Sequence, residues 1–381
     1  MTAEIGIINQ RGLALAADSA VTLGTNLTLN NATKVFSLGD NHYIGMMIYG
    51  NAEFMGIPWE VLIKAFKEIQ AKKRPLDSVP DYINSFFDFI ISQDIFTKQS
   101  YENYVASYCY QFIQQKLSNI RSVDDVEDAL WQAQHALKKE QKLINVDDNT
   151  FSKTYGDLVL QIFQSELGNL DQKLLDLILK VMSAYISSDV QSIDYNTGLV
   201  VAGYGKDELF PSIYQLSVDG FIFNQFKYVN ESIWNTDPMK TNYTAAIAPF
   251  AQQEMIMLLL NGIDPYLNDL RERQLKSIKE KVIAQYGNDD NDHLDSLFSR
   301  AEKEFDKECE SDYRGPILSM LANLSLGELA NMAETMVSLT SFKRKYTGSV
   351  RTVGGPVDVL TISRDDGVVW VRKKDELKDI D

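Results

Sequence analysis

The order of residue patterns along the chain predicts an α+β protein, and within that class a four-layer αββα sandwich with helical insertions. Three observations lead there. Short apolar runs bounded by turn residues fill the first fifty residues, return near residue 198 and close the chain. Between them lie long stretches with apolar residues at helical spacing, over about 75–190 and from 249 to beyond 336. Strands and helices grouped in this way do not fit the regular strand and helix alternation of a parallel sheet.

Each element follows from its residues. AEIGIIN (3–9) is a short isoleucine-rich strand, 10–12 reads as a turn and LALAADSAV (13–21) as the hairpin partner. After a polar interval over 22–33, KVFSLG (34–39) and YIGMMIYG (43–50) are two further strands, separated by Asp40 and Asn41. Gly50 ends the strand pattern, and 52–72 reads as a helix with apolar Phe54, Met55, Ile57, Leu62, Ile63, Phe66 and Ile69. The helical block from Pro75 to about Val190 is broken near Pro80, at 122–125, at 146–150 and at Gly168-Asn169. Strands resume with GLVVAGYG (198–205), SIYQLSVDG (212–220) and FIFNQFKYV (221–229), with Gly and Asp219-Gly220 at the turns. The second helical stretch breaks at 262–265, 286–292 and 314–316, and its middle reads as an exposed helical hairpin. GGPVDVLTIS (354–363), a turn at 364–367 and VVWVRK (368–373) close the pattern before a charged tail.

Composition removes several function classes. At 381 residues, 45% hydrophobic and 24% charged, the chain can bury a large core, which excludes disorder, collagen and coiled-coil rods as whole-chain descriptions. The 37 basic and 53 acidic residues give a net charge of −16, which repels phosphate and anionic lipid, so neither nucleic acid nor membrane is expected as a partner. Cys109 and Cys309 are too far apart in sequence for a metal-ligand spacing and form no disulfide framework. His42, His135 and His293 belong to no ligand pair, and the acidic loop around Asp289 to Asp295 lacks the glycine and glutamate of an EF-hand, so no metal is expected. Gly203 to Gly205 is neither a P-loop nor a dinucleotide fingerprint, and no cofactor is expected. With no apolar leader and no run of 18 apolar residues, the expected location is the cytoplasm.

One constellation carries chemistry. Thr2 follows Met1, and methionine is usually removed before so small a residue, which leaves a threonine hydroxyl beside its own free amine. Such an amine, with a pKa of about 8, serves as the base for the hydroxyl without any histidine. A lysine held by a carboxylate would favour the alkoxide, and Asp18 and Lys34 are the candidates, sixteen and thirty-two residues after Thr2. Three consecutive strands can bring one of these residues each to the same sheet end. Gly50, where a strand delivers its amide to a helix start, is the candidate donor to an oxyanion.

TAEIGIINQRGLALAADSAVTLG, Lys34 in ATKVFSLG and IGMMIYGNAE together resemble the opening of proteasome β-subunits and the bacterial HslV peptidase. On that resemblance Thr2, Asp18, Lys34 and Gly50 fall on the nucleophile, the acidic residue, the lysine and the oxyanion amide. VVAGYG with SIYQLSVDG is similar to the family's central hairpin, SLGELANMAETMV to its penultimate helix and VGGPVDVLTISRDDG to its closing strand and turn. The resemblance implies a proteasome-like αββα core over 1–72, 198–262 and 321–374, a helical insertion over 73–197, a helical hairpin insertion over 263–320 and a tail over 375–381. Ala246, Val350 and Val353 stand where the family places supporting serine and aspartate residues, with Ser349 and Thr352 as the nearest hydroxyls.

The function implied is a threonine-type N-terminal nucleophile (Ntn) hydrolase that cleaves peptide bonds through an acyl ester on Thr2. The resemblance also implies a peptide or unfolded-protein substrate and a homo-oligomer of ring form, and it leaves room for an ATPase partner. Two alternatives stay open: a catalytically silent proteasome-like subunit that acts as a scaffold, and an amidase of the same fold acting on small amides or on itself.

Overall fold

In the computed structural model, residues 2–23, 27–29, 32–39, 41–118, 123–286, 291–346 and 354–374 are described. The chain opens with the expected hairpin, β1 (Glu4–Asn9) and β2 (Gly12–Asp18). Its turn is closed by Asn9, whose Oδ1 accepts from the Arg11 and Gly12 amides at 2.9 and 3.3 Å. A short ladder, β3 (Val21–Leu23) with β4 (Leu27–Leu29), occupies the interval read as polar, and β5 (Val35–Ser37) and β6 (Ile44–Gly50) follow. The helix expected over 52–72 starts late. A two-residue ladder, β7 (Glu53–Phe54) with β8 (Ile57–Pro58), comes first, and α1 runs over Trp59–Gln70. Met55 and Gly56 hold φ at 51° and 87°, and Pro58 restricts the residue before it to extended backbone, so no helix can begin earlier.

The long helical block resolves into α2 (Val79–Ser92), α3 (Lys98–Phe112), α4 (Val123–Leu137), α5 (Asp148–Leu167) and α6 (Gln172–Ser187). Ser78, Thr97, Asp147 and Asp171 each cap one of them by accepting from a backbone amide. Pro80 lies in the first turn of α2, where no amide donor is needed, so it marks the start of that helix. The chain next forms β9 (Thr197–Gly203), β10 (Ser212–Ile222), β11 (Gln225–Asn235) and β12 (Ala245–Pro249). Asp219-Gly220 is not a turn. It lies inside β10, and the hairpin turns at Phe223-Asn224, whose φ values of 52° and 58° give the backbone twist a tight hairpin requires. The remaining elements are α7 (Glu254–Asn261), α8 (Pro265–Tyr286), α9 (Asn291–Cys309), α10 (Gly315–Leu321), α11 (Leu326–Tyr346), β13 (Val357–Ser363) and β14 (Gly367–Arg372).

The protein is therefore of mixed α+β class. One five-stranded sheet has the order β12-β1-β2-β13-β14 and is antiparallel throughout; the other has the order β11-β10-β9-β6-β5. The chain divides into two compact units, one of Met1–Gly45, Ala202–Ile213 and Trp234–Asp381, the other of Met46–Val201 and Tyr214–Ile233. β6, β9, β10 and β11 each have residues in both units, and β5 lies in the first. This division groups most of β6, all of α1 and most of the β10–β11 hairpin with the helices of 73–197, which the sequence reading set apart as an insertion.

In the first unit the central sheet is buried on both faces. Ala3 just before β1, Ile5 and Ile7 within it, and Ala14 and Ala16 of β2 pack with Leu329, Ala330, Ala333, Met336 and Val337 of α11. The opposite face meets Gly45, where an added Cβ would lie 2.9 Å from Leu15 and 3.0 Å from Leu360. Such burial explains why β2 is apolar along nearly its whole length rather than alternating. α8 and α9 pair through Lys279 to Asp295 at 2.5 Å and through the Arg271 guanidinium over the Phe305 ring.

The second unit holds an aromatic core and a closed polar network. Phe87 stacks on Phe226 at 4.4 Å, and the Phe54 ring lies tilted against Trp59 at 4.8 Å. Asp219 accepts from Tyr104 at 2.8 Å, from the Ser192 amide at 2.8 Å and from Tyr108. The buried Lys227 donates to Tyr108 Oη at 2.5 Å and to the Val190 carbonyl. Gly220 is required because the Tyr104 ring lies 2.5 Å from where its Cβ would stand.

Gly203 tests the close packing of the first unit. Its φ is +139°, and a Cβ would stand 1.8 Å from the Tyr43 carbonyl oxygen, a backbone atom that cannot swing aside. Gly203→Ala is expected to cost about 2–5 kcal/mol of stability from strain and overlap together, measurable by denaturant titration.

Candidate active site

Asp18 ends β2, where the apolar run meets Ser19, and that position fixes the carboxylate in the interior. Register places its amide against the Ala3 carbonyl at 3.1 Å, so the start of one strand and the end of its partner meet. Ser19 ties this corner to the approach to β13 by donating to the Pro356 carbonyl at 2.6 Å.

Around Asp18 two of the expected residues, Thr2 and Lys34, converge. Thr2 Oγ1 donates to Asp18 Oδ1 at 2.5 Å, and Lys34 Nζ donates to the same oxygen at 2.8 Å and to Thr2 Oγ1. The Ala3 amide donates to Oδ1 at 3.0 Å, and the Gly354 amide to Oδ2 at 2.8 Å. Asp18 thus accepts from four groups, as a buried carboxylate must if it is to stay charged. The Thr2 carbonyl accepts from the Gln252 amide at 3.2 Å, which holds the residue from the other side. Thr2 itself is 5% exposed.

Glu4 is the residue that sequence reasoning missed. It opens β1, two residues after Thr2, and its Oε1 stands 3.3 Å from Thr2 Oγ1. Its Oε2 is buried and has no hydrogen-bond partner among the described residues. Burial pushes the Glu4 carboxyl up to about 8, the Asp18 charge adds to that rise, and the Lys34 ammonium and the Thr2 hydroxyl oppose it. A signal was present in the sequence: one acid inside an otherwise apolar strand, at the period-two distance from Thr2.

Gly50, the fourth expected residue, ends β6 in the second unit. Its φ of +83° favours glycine there, and the Asn196 carbonyl oxygen lies 3.3 Å from where a Cβ would be built. Ala246 is buried in β12 and pairs in register with Ile8. Met1, Ser349, Val350, Thr352 and Val353 lie outside the described residues, as does the tail over 375–381. Among the described residues no cluster of His, Cys, Asp and Glu could hold a metal ion, and no helix is long and apolar enough to cross a membrane.

A threonine hydroxyl bonded by an ammonium and a carboxylate at once can be activated as a nucleophile, because the cation favours the alkoxide and the carboxylate keeps the cation in place. The same pair carries a stability consequence. Lys34→Met and Asp18→Leu, each leaving a buried charge unpaired, are expected to cost about 3–5 kcal/mol, and the double variant less than the sum of the two, as a double-mutant cycle in denaturant would show. Glu4 acts with the opposite sign to most carboxyls: its pKa is raised in the fold, so the folded state holds a proton that the unfolded state has lost. Stability therefore falls as pH rises from about 4.5 to about 8. Glu4→Gln should flatten this slope, by up to about 1.4 kcal/mol per pH unit, in thermal melts taken across the window.

No protein-family model matches the chain, and a search of curated proteins finds no match either, so the geometry of this corner is what any functional reading has to stand on.

Proposed function

We propose that the chain is a proteasome-like N-terminal nucleophile hydrolase of αββα architecture that cleaves peptide or other amide bonds through an acyl ester on Thr2. The observation that carries this reading is the meeting of Thr2, Asp18 and Lys34, widely separated in sequence, in one set of short hydrogen bonds. In this reading Thr2 bears a free amine. The amine takes the hydroxyl proton as Oγ1 attacks the carbonyl carbon, and returns a proton to the departing amine. Lys34 stabilises the charge that grows on Oγ1, and Asp18 keeps Lys34 and Thr2 aligned. A backbone amide receives the oxyanion, for which Gly50 is the sequence candidate, and water then releases the acyl group. Peptide or unfolded-protein substrates, and assembly into a homo-oligomeric ring, belong to the same proposal.

Two observations favour a second reading. Thr2 is almost wholly buried and Ala246 replaces a supporting serine of the resembled family, which suits a silent subunit used as a scaffold.

A hydroxyl-directed covalent inhibitor, read by intact mass, separates the two. The hydrolase reading expects a chain that begins at Thr2, one adduct on the wild type and none on Thr2→Ala. A wild type that begins at Thr2 yet takes no adduct, or a chain whose mass shows Thr2 still acylated by a preceding residue, overturns it. An adduct formed together with inertness toward peptides would shift the substrate to small amides.

A further inference from the structure

This inference rests on the threonine chemistry just proposed. We infer that Glu4 serves the site as a neutral carboxylic acid that donates a hydrogen bond to Thr2 Oγ1, so that ionisation of Glu4 switches the nucleophile off. The count of protons leads there. Thr2 has one hydroxyl proton, and the Asp18 oxygen at 2.5 Å receives it. Lys34 donates to Oγ1 and fills one of its two lone pairs. The contact between Oγ1 and Glu4 Oε1 at 3.3 Å then has a proton in it only if Glu4 supplies one.

Energetics agree with the proton count. An ionised carboxyl at this place would leave Oε2 charged, buried and unpartnered, beside the Asp18 carboxylate. In the chain that begins at Thr2 the α-amine stands at this corner too, and where it is protonated it opposes the rise. Among the described residues the charged side chains acting on Glu4 are Lys34, already shared by Thr2 and Asp18, and Asp18 itself. β12 contributes none over Ala245–Pro249, β13 brings Asp358 across Ala17 in register, and Arg344 of α11 is bonded to Glu254 at 2.8 Å. The rise of the Glu4 carboxyl to about 8 places the change of state just above neutrality.

During attack the hydroxyl proton moves to the Thr2 amine while the Glu4 proton stays on Glu4, so no bond to Glu4 breaks. As charge grows on Oγ1, the Glu4 hydroxyl becomes a charge-assisted donor alongside Lys34. Ionised, Glu4 would face that charge with a like one.

The test is the rate at which the hydroxyl-directed inhibitor labels Thr2, followed by intact mass at about pH 7 and about pH 9.5 in the full chain. Glu4→Gln, which cannot ionise, is expected to gain about ten-fold between the two as the Thr2 amine loses its proton, and wild type to fall about thirty-fold behind it, from the protonated fraction of a group titrating near 8. Glu4→Val, which has no donor, should label about ten-fold more slowly than Glu4→Gln at about pH 7, a difference of about 1.4 kcal/mol. A Glu4→Gln profile that runs parallel to the wild type's, or labelling no faster than Glu4→Val with all three chains folded by thermal melt, overturns the role of Glu4 while the threonine reading stands. Absence of labelling in wild type at either pH removes both.

Discussion

The buried contact between Asp18 and Lys34 is the constraint on which the first unit depends. Two charges placed inside a protein are costly unless the geometry around them is nearly complete, and here completeness requires four donors on one carboxylate. Those donors come from the start of the first strand, from residue 34 and from residue 354, so the carboxylate can be satisfied only when three distant parts of the chain have arrived. The apolar hairpin supplies the reason they arrive. β2 is buried along its entire length, its register with both neighbours is fixed by that burial, and its terminal residue is carried inward with it.

Two carboxyls share this corner and differ in how they are met. Asp18 is surrounded by donors; Glu4 has one oxygen near a hydroxyl and the other with nothing to accept from. Unequal satisfaction of neighbouring acids is a physical route to unequal protonation, and it turns a pair of like charges into one charge and one donor. The proposed chemistry uses both: the charged member holds the cation, and the neutral member adds a donor.

The second unit solves a comparable problem without leaving an oxygen unmet. Asp219, Lys227, Tyr104 and Tyr108 satisfy one another and the backbone of residues 190 and 192 in a closed set. Such a network fixes the hairpin of β10 and β11 against α3 and explains why these strands group with the helices of 73–197 in one compact unit. The Asp219-Gly220 pair reads as a turn by local rule. It becomes strand interior because Tyr104 fills the space beside Gly220 and Asp219 has buried donors to meet.

The sequence by itself determined the class of the protein, most of its strands and helices, and the identity of Thr2, Asp18 and Lys34 as candidates, since apolar period, capping residues and turn residues act over a few positions. It also held the odd acid at Glu4, although nothing local says whether an acid in a strand is buried. Only the tertiary structure decided that the helix after Gly50 waits for Pro58, that the hairpin turns at Phe223-Asn224, that Gly354 donates to Asp18 and that Glu4 Oε2 is left without a partner. The physical reason is the same in each of the last two cases: desolvation and hydrogen-bond satisfaction are properties of a place, and the place is assembled from segments hundreds of residues apart.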